Sequence, residues 1–431
     1  MHERILVNEL TKHVGERVTV MGWLHRLREL SQVTFLIVRD RSGLGQVVIP
    51  EPGEATKLHA ETVLAVTGEV VASDQAPGGA ELHEPRIEVL AAPPEPPPLE
   101  LWRPSLAASL PTQLDLAPLA LRHPRRRAAF ELAAASLAGF RSAMQGLSFT
   151  EVQTPKIVAS ATESGANVFA LDYFGRPAFL AQSPQFYKQM MVGVFERVFE
   201  TGPVFRAEPH DTARHLSEYV SLDAELGFIV DHRDVMHVVG EALAGMLEAM
   251  YDRAERALEL LAIALPAVPA EIPRIHFADA QDLIAADTGE SLHDEYDLAP
   301  AHERWICEWA RREHGSEFVF VTGYPMRVRP FYTHPDPARP EFSNGFDLLF
   351  RGMELITGGQ RLNRHEDYLS ALALRGESPD PYQPYLQAFK YGMPPHGGFA
   401  IGFERWIARV VGAANVREVT LFPRDMHRLS P

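Results

Sequence analysis

Four short stretches of this sequence carry side chains able to grip a phosphorylated ligand. AQSPQFYKQ, residues 181–189, brings Gln182, Gln185 and Lys188 close together. FRAEPHDTARHLSEYVSLDAE, residues 205–225, sets Arg206 and Glu208 before a short loop and Arg214 and His215 after it. Guanidinium groups bind phosphate through paired, permanently charged donors, so two arginines and a histidine around a turn between strands make a polyphosphate cradle. FDLLFRGMELITGGQR, residues 346–361, places Glu354 and the Thr357 hydroxyl ahead of a Gly-Gly turn and Arg361. A carboxylate and a hydroxyl oxygen form half a shell for magnesium, which keeps several waters and takes its other ligands from phosphate oxygens. In HGGFAIGFERW, residues 396–406, glycines allow a close backbone approach and Arg405 opens a helix. Each stretch alone also has a plain structural reading: a salt-bridged strand, a surface lysine, a loop histidine, a simple glycine turn. The four together, in this order, point to one site.

Other chemistries are absent. The sequence holds no GxxxxGK[ST] loop and no GxGxxG between a strand and a helix, so a nucleotide here needs another phosphate grip. It also lacks a G-x-S-x-G elbow and an H-E-x-x-H zinc motif. Cys307 is the only cysteine, which excludes internal disulfides and multi-cysteine metal sites. No apolar run is long enough to span a membrane. MHERILVNEL has no apolar stretch after a basic head, so a secretory leader is not expected and the cytoplasm is the expected compartment. The net charge of −16 excludes an indiscriminate polyanion binder; nucleic acid requires locally concentrated basic residues.

The elements that position these residues fall into three parts. At roughly 150 residues per domain, 431 residues allow two or three domains. Between Arg17 and Leu90 lie five β-rich runs: RVTVMGW, VTFLIVRD, GQVVI, TVLAVTGEVV and RIEVL. They predict a small closed sheet, an OB barrel or another five-stranded β domain such as an SH3-like barrel. AAPPEPPPLELWRP, residues 91–104, contains six prolines and reads as a semi-rigid hinge or a proline-rich wall. From Leu121 onward, helices interleave with strands. Phe130, Leu137, Phe140, Met144 and Leu147 predict an apolar helical stripe within 122–147. Arg122, Arg125, Arg126 and Arg127 at its start oppose the helix dipole, so they call for an anionic neighbour or a solvated face. The next strand, FTEVQTPKIV, contains Pro155 and belongs at a sheet edge, a candidate subunit interface. Helices are expected over 234–262 and 404–412, and 266–316 reads as irregular.

In order, the long helix with the Pro155 strand, the FRAE…RHL…E segment and Gly402-Phe403-Glu404-Arg405 resemble the three motifs of class II aminoacyl-tRNA synthetases. QSPQFYKQ, FRAEPHDTARHLSEY, GGQR and YGMPPHGGFAIGFER followed by REVTLFPRD are similar to the archaeal-type aspartyl-tRNA synthetases along nearly the whole chain. The chain is too short for the extra domain of the bacterial type. The resemblance implies an α+β protein: an OB-fold anticodon-binding domain over 1–92, a proline-rich hinge over 93–120, and a catalytic domain over 121–431. That domain would have an antiparallel sheet flanked by helices and a variable insertion over 266–316.

It also implies roles. Arg361 and Lys188 would hold the aspartate β-carboxylate, with Glu163, Gln185, Arg206 and Thr357 on its other groups and Asp223 supporting Lys188 or meeting the ammonium. Asparagine would leave those cations unpaired. Arg206, the catalytic residue, would touch the ATP α-phosphate, and Glu208 would lie near the adenine amino group. Arg214, His215 and Leu216 would line the triphosphate, with Tyr219 and Arg405 sandwiching adenine. Gly402, Phe403, Glu404 and Arg405 would complete the nucleotide pocket, and Glu354 and Thr357 would hold Mg2+. Serine is usual in the family at Thr357; threonine keeps the oxygen and adds a methyl. In the barrel, Phe35 would stack on an anticodon base, Gln46 would read a base edge, and Arg26 and Arg28 would contact phosphates; the other reading of Phe35 is barrel core. His25 and Pro77 stand where tRNA-selective relatives tend to carry bulky or basic side chains. This implies charging of both tRNA(Asp) and tRNA(Asn) by a homodimer, alongside a tRNA-dependent amidotransferase. The alternatives are a synthetase restricted to tRNA(Asp), an asparaginyl-tRNA synthetase, a catalytically silent paralogue and a free-standing amide-forming enzyme.

Overall fold

The computed structural model describes residues 4–430 except 31–32, 51–52, 160–166, 210 and 293. The chain divides into two compact units, Met1–Pro124 and Arg125–Pro431. In the first, the strands Arg17–Glu29, Thr34–Arg39, Leu44–Ile49, Val63–Ala72 and Ala80–Ala91 correspond to the five β-rich runs. Arg17–Glu29 pairs antiparallel with both Thr34–Arg39 and Val63–Ala72, and a short parallel contact joins Leu44–Ile49 to Ala80–Ala91. The sheet therefore closes into an OB barrel. Alternation along the strands drives closure: Val18, Val20, Leu24, Leu36, Val38, Val47, Ile49, Leu64, Val66 and Leu82 fill one interior. The proline-rich stretch leads into helices Leu110–Asp115 and Ala117–Ala120, where Leu99, Leu101 and Ala120 form a small core of their own. Residues 93–120 thus group with the N-terminal unit.

An eight-stranded sheet organises the second unit. Its order is Arg274–His276, Phe318–Thr322, Gly345–Phe350, Met353–Gln360, His396–Gly402, Glu218–Gly227, Arg197–Phe205 and Thr150–Glu151. The interior pairs are antiparallel as expected, but the outermost pair at each margin is parallel. Thr150–Glu151 is an edge strand. Pro155 lies beyond it in extended chain rather than inside one continuous strand, because the ladder ends before the proline and resumes only as Ile157–Val158 in a separate three-stranded sheet.

Helices Pro124–Gly146 and His232–Leu261 pack on the sheet. The first helix buries only part of the expected stripe, together with small residues beside it. Ala128, Leu132, Ala135, Ser136, Gly139, Phe140 and Met144 turn inward, whereas Phe130, Leu137 and Leu147 are only partly covered. Small residues face the neighbouring helix so that the backbones can approach: a Cβ on Gly139 would lie 2.3 Å from the Gly245 carbonyl and 2.7 Å from the Ala249 Cβ. The arginines at the helix start do have partners. Arg126 faces Glu418 at 3.8 Å, Arg127 pairs with Glu131 at 2.9 Å, and Arg122 with Glu61 at 2.9 Å, while Arg125 donates to the Leu260 carbonyl.

The expectation of irregular structure over 266–316 is corrected. This segment forms the strand Arg274–His276 and helices Phe277–Thr288 and Pro300–His314. Ile275, Phe277, Ile284, Ile306 and Ala310 bury against Val319, Val321 and Leu349, so tertiary burial overrides a weak local pattern. Helices 232–261 and 403–411 lie within a residue or two of their expected positions.

Replacing Gly139 by alanine is expected to destabilise the second unit by about 1–3 kcal/mol through overpacking. A chemical-denaturation midpoint equal to that of the unsubstituted chain would show that the two helices are not in close approach.

Candidate active site

The antiparallel sheet floors a cleft with about 870 Å³ of empty space including its mouth. Gln185, Arg206, Glu208, Arg214, His215, Leu216, Tyr219, Glu354, Thr357, Gly402, Glu404 and Arg405 all line it. Arg206 directly follows the strand Arg197–Phe205, and its backbone N–H donates to the Ser217 carbonyl at 2.9 Å, closing the loop back onto Glu218–Gly227. Its guanidinium lies over the Tyr219 ring at 5.7 Å and 3.8 Å from Glu208, which also faces His215 at 3.7 Å. Arg405 enters from the helix Phe403–Val411, donating to the Arg214 carbonyl at 3.3 Å and standing 3.9 Å from Glu354. Two arginines flanking one loop and a third from the C-terminal helix thus share one cavity.

Behind the wall lies a charge network. Lys188 is almost wholly buried; its ammonium donates to Asp223 at 2.9 Å and to the Phe399 carbonyl at 3.0 Å. Arg361 donates to Glu225 at 3.0 Å and to the Gly398 carbonyl at 3.0 Å. Glu225 also stands 3.5 Å from Lys188. Burial works to lower the Arg361 pKa, but Glu225 overrides it and keeps the guanidinium charged. One expectation is therefore corrected. The two cations have carboxylate partners of their own, so a neutral amino-acid side chain would not leave them unpaired. Asp223, which lines the cleft, supports Lys188 as anticipated.

Phe403, expected to complete the pocket, does not line the cleft. At the first turn of its helix it points into the hydrophobic core, while Gly402 and Glu404 line the cleft. Glu163 lies outside the described residues.

Behind the acidic corner, and not lining the cleft, lies a carboxylate that the sequence reading missed. Thr357 donates to Glu354 at 2.9 Å, and Asp347 stands opposite Thr357 across the hairpin. Asp347 is buried, with one oxygen bonded to Arg329 at 3.0 Å and the other without a hydrogen-bond partner. Burial pushes its carboxyl up to about 6 against the pull of Arg329. Burial also works to raise Glu354, but Arg405 and the Thr357 hydroxyl hold it below the usual range. Two carboxylates and a hydroxyl, one oxygen of them unpartnered, are hard donors that fit Mg2+. Among the described residues no cluster of three or more His, Cys, Asp or Glu side chains has metal-binding geometry, so such an ion would rely on substrate oxygens and water.

The OB barrel presents a second surface. Strand register sets Phe35 opposite Arg28 and Val48, and Ile37 opposite Arg26 and Gln46, so all four residues expected to meet the anticodon share the outer face. Phe35 is half-buried there rather than part of the barrel core. Arg28 is exposed, and Arg26 stacks on Trp102 at 3.9 Å. Gln46 already donates to Glu81 at 2.7 Å. His25 is turned inward at a strand irregularity, 3.1 Å from Arg39, which makes a bidentate pair with Glu61. Burial and the Arg39 charge push the His25 pKa down to about 4, so the ring is neutral at neutral pH. Pro77 is exposed in a turn with Gly78 at φ 77°.

A sheet-floored cleft lined by arginines and cornered by carboxylates, in a chain with an OB barrel, has the architecture of class II aminoacyl-tRNA synthetases. Comparison with known proteins agrees. Residues 109–426 match the family described as tRNA synthetases class II (D, K and N), and residues 18–90 match an OB-fold nucleic acid binding domain. Proteins named Aspartate–tRNA(Asp/Asn) ligase are similar over almost the full length. The one from Thermus thermophilus is 44% identical over 99% of this chain and 100% of its own, and the one from Deinococcus radiodurans is 44% identical over 100% and 99%. Among solved structures, the Pyrococcus horikoshii asparaginyl-tRNA synthetase with asparaginyl-adenylate superposes at TM-score 0.92 with 31% identity, covering 100% of both chains. The Entamoeba histolytica aspartyl-tRNA synthetase gives 0.88 with 27% identity, over 100% of this chain and 93% of its own. The chain belongs to the class II tRNA synthetases of the D, K and N group, enzymes that use ATP to join an amino acid to tRNA.

Glu404 yields a pH prediction. Both of its carboxylate oxygens accept from the Val220 backbone N–H at 3.1 Å, and burial raises its pKa from 4.5 to about 7. The folded chain therefore binds a proton more tightly than the unfolded chain. The stability this gives is fully present below pH 4.5 and is lost as pH rises through about 7, amounting to about 3 kcal/mol. Glu404→Gln is expected to flatten that decline in denaturation midpoints measured from pH 5 to pH 8; an unchanged slope would contradict a raised Glu404 pKa.

Proposed function

We propose that this synthetase activates L-aspartate with ATP and esterifies both tRNA(Asp) and tRNA(Asn). The observation that carries the reading is the position of Lys188 and Arg361 directly behind the wall of a cleft lined by Arg206, Arg214 and Arg405. The amino acid's side-chain carboxylate points toward the Lys188 and Arg361 donors left over by Asp223 and Glu225. Gln185, Glu163 and Thr357 meet its other polar groups. ATP lies across the cleft, with Arg206 on the α-phosphate and Arg214, His215 and Leu216 along the triphosphate. Adenine rests between Tyr219 and Arg405, near Glu208. Glu354 and Thr357, with Asp347 buried behind them, would hold Mg2+, which when bound would neutralise charge on phosphate oxygens.

The α-carboxylate attacks the α-phosphorus in line; the new O–P bond forms as the bond to pyrophosphate breaks. The nucleophile is already an anion, so no protein base is needed, and the residues contribute orientation and charge stabilisation. The 3′-hydroxyl of the tRNA then attacks the aspartyl carbonyl and AMP departs.

At the barrel, Phe35 stacks on a base, Arg26 and Arg28 hold phosphates, and Gln46 reads a base edge after exchanging its Glu81 contact. His25 acts through Arg39, and with Pro77 it leaves the anticodon face permissive toward both tRNAs. The names of the relatives at 44% identity support this breadth. Aspartyl-tRNA(Asn) is a mismatched product, so the reading includes a tRNA-dependent amidotransferase downstream. A homodimer built on the Thr150–Glu151 edge and a cytoplasmic location complete it; no helix among the described residues is long and apolar enough to cross a membrane.

A second reading, asparagine as substrate, draws on one observation. The Glu225 oxygen facing Lys188 has no hydrogen-bond donor and could accept from a side-chain amide.

Charging assays with purified transcripts test the breadth of the proposal. Aspartate is expected to load onto both tRNA(Asp) and tRNA(Asn), and failure to aspartylate the asparagine transcript would restrict the enzyme to tRNA(Asp).

A further inference from the structure

The helix Pro300–His314 carries a carboxylate toward the back of the nucleotide cleft. Glu303, in its first turn, is only 3% exposed, yet it does not line the cavity. Each of its oxygens accepts from a different nitrogen of Arg214, Oε2 from Nη1 at 2.9 Å and Oε1 from Nη2 at 2.8 Å. Oε2 also accepts the backbone N–H of Glu354 at 3.2 Å. One buried side chain therefore braces an arginine of the loop return and the strand that bears the acidic corner. Both of these are tied to Arg405, whose guanidinium donates to the Arg214 carbonyl.

A bidentate carboxylate fixes the plane of a guanidinium and occupies two of its five donors. The remaining three can meet an anion in the cleft, which Arg214 lines with its side chain about one-fifth exposed. An arginine without such a brace would lose part of its binding energy in ordering a long side chain. Glu303 is well placed for the task because Ile306, Cys307 and Ala310 anchor the same helix in a packed core. A carboxylate in the first turn also suits the helix dipole.

We infer that Glu303 is a positioning residue for ATP, setting Arg214 to receive the polyphosphate while leaving amino-acid binding untouched. The inference rests on reading the cleft as the ATP site of an aspartate-activating enzyme. It is tested by ATP–pyrophosphate exchange on the full chain, with ATP and aspartate varied separately. Glu303→Ala is expected to raise the KM for ATP about tenfold while the KM for aspartate stays within about twofold. Arg214→Ala should raise the ATP KM at least as much, and the double variant should be no worse than Arg214→Ala alone. Glu303→Gln, which keeps the acceptor for the Glu354 N–H, should fall between wild type and Glu303→Ala. If the alanine variant does not fold, the glutamine variant carries the same cycle. Additive losses in the double variant, or equal rises in both KM values, would overturn the role of Glu303. Absence of aspartate-dependent exchange in the unsubstituted chain would instead overturn the functional reading on which it rests.

Discussion

Two buried cations and two buried carboxylates brace the cleft wall at the end where Asp223 lines it. Lys188 comes from the helix Gln185–Phe195, Asp223 and Glu225 from one sheet strand, and Arg361 directly follows another. Breaking one partner of such a pair typically costs about 3–5 kcal/mol, because the other is left charged in a medium that cannot solvate it. The network also dictates backbone. A Cβ on Gly398 would fall 2.0 Å from a Glu225 oxygen and 2.2 Å from the Ala224 carbonyl, so only glycine lets the strand His396–Gly402 pass close enough for its carbonyls to receive Lys188 and Arg361. The glycine-rich stretch is therefore a consequence of the charges beneath it.

From that anchor the cleft extends along the sheet. The same strand that carries Asp223 begins at Glu218–Tyr219 beside Arg206, and the strand that packs on it runs into the helix bearing Arg405. The groups proposed to hold the amino acid and the nucleotide are thus spaced by strand geometry rather than by flexible loops, which suits a reaction whose catalysis is mainly alignment and charge compensation.

Much of this was legible in the sequence because the physics is local. Short β-rich runs between turn signals mark all five barrel strands, and the arginines around 206–215 flank a loop whose ends must meet. What was not legible depends on partners distant in the chain. Glu225 and Arg361 are 136 residues apart, and nothing near either announces the other. Asp347 was hidden by an irregularity: counting back from the Arg351–Gly352 turn pairs it with Ile356, but a register shift between Leu348 and Leu349 brings it opposite Thr357. Alanines on the helix Pro124–Gly146 bury by close approach, which a stripe of large residues does not reveal. Phe403 sits beside cleft residues in sequence, yet the helical turn that begins there sends it to the core.

The charge network also frames selectivity. With Lys188 and Arg361 already paired to Asp223 and Glu225, the proposed amino-acid pocket would distinguish aspartate from asparagine by the donors that remain, not by vacant positive charge. The most direct test is pyrophosphate exchange with each amino acid as sole substrate. Aspartate is expected to support exchange at least about 100-fold more efficiently than asparagine, measured as kcat/KM. Equal efficiencies, or a preference for asparagine, would contradict aspartate as the amino acid this site was built to hold.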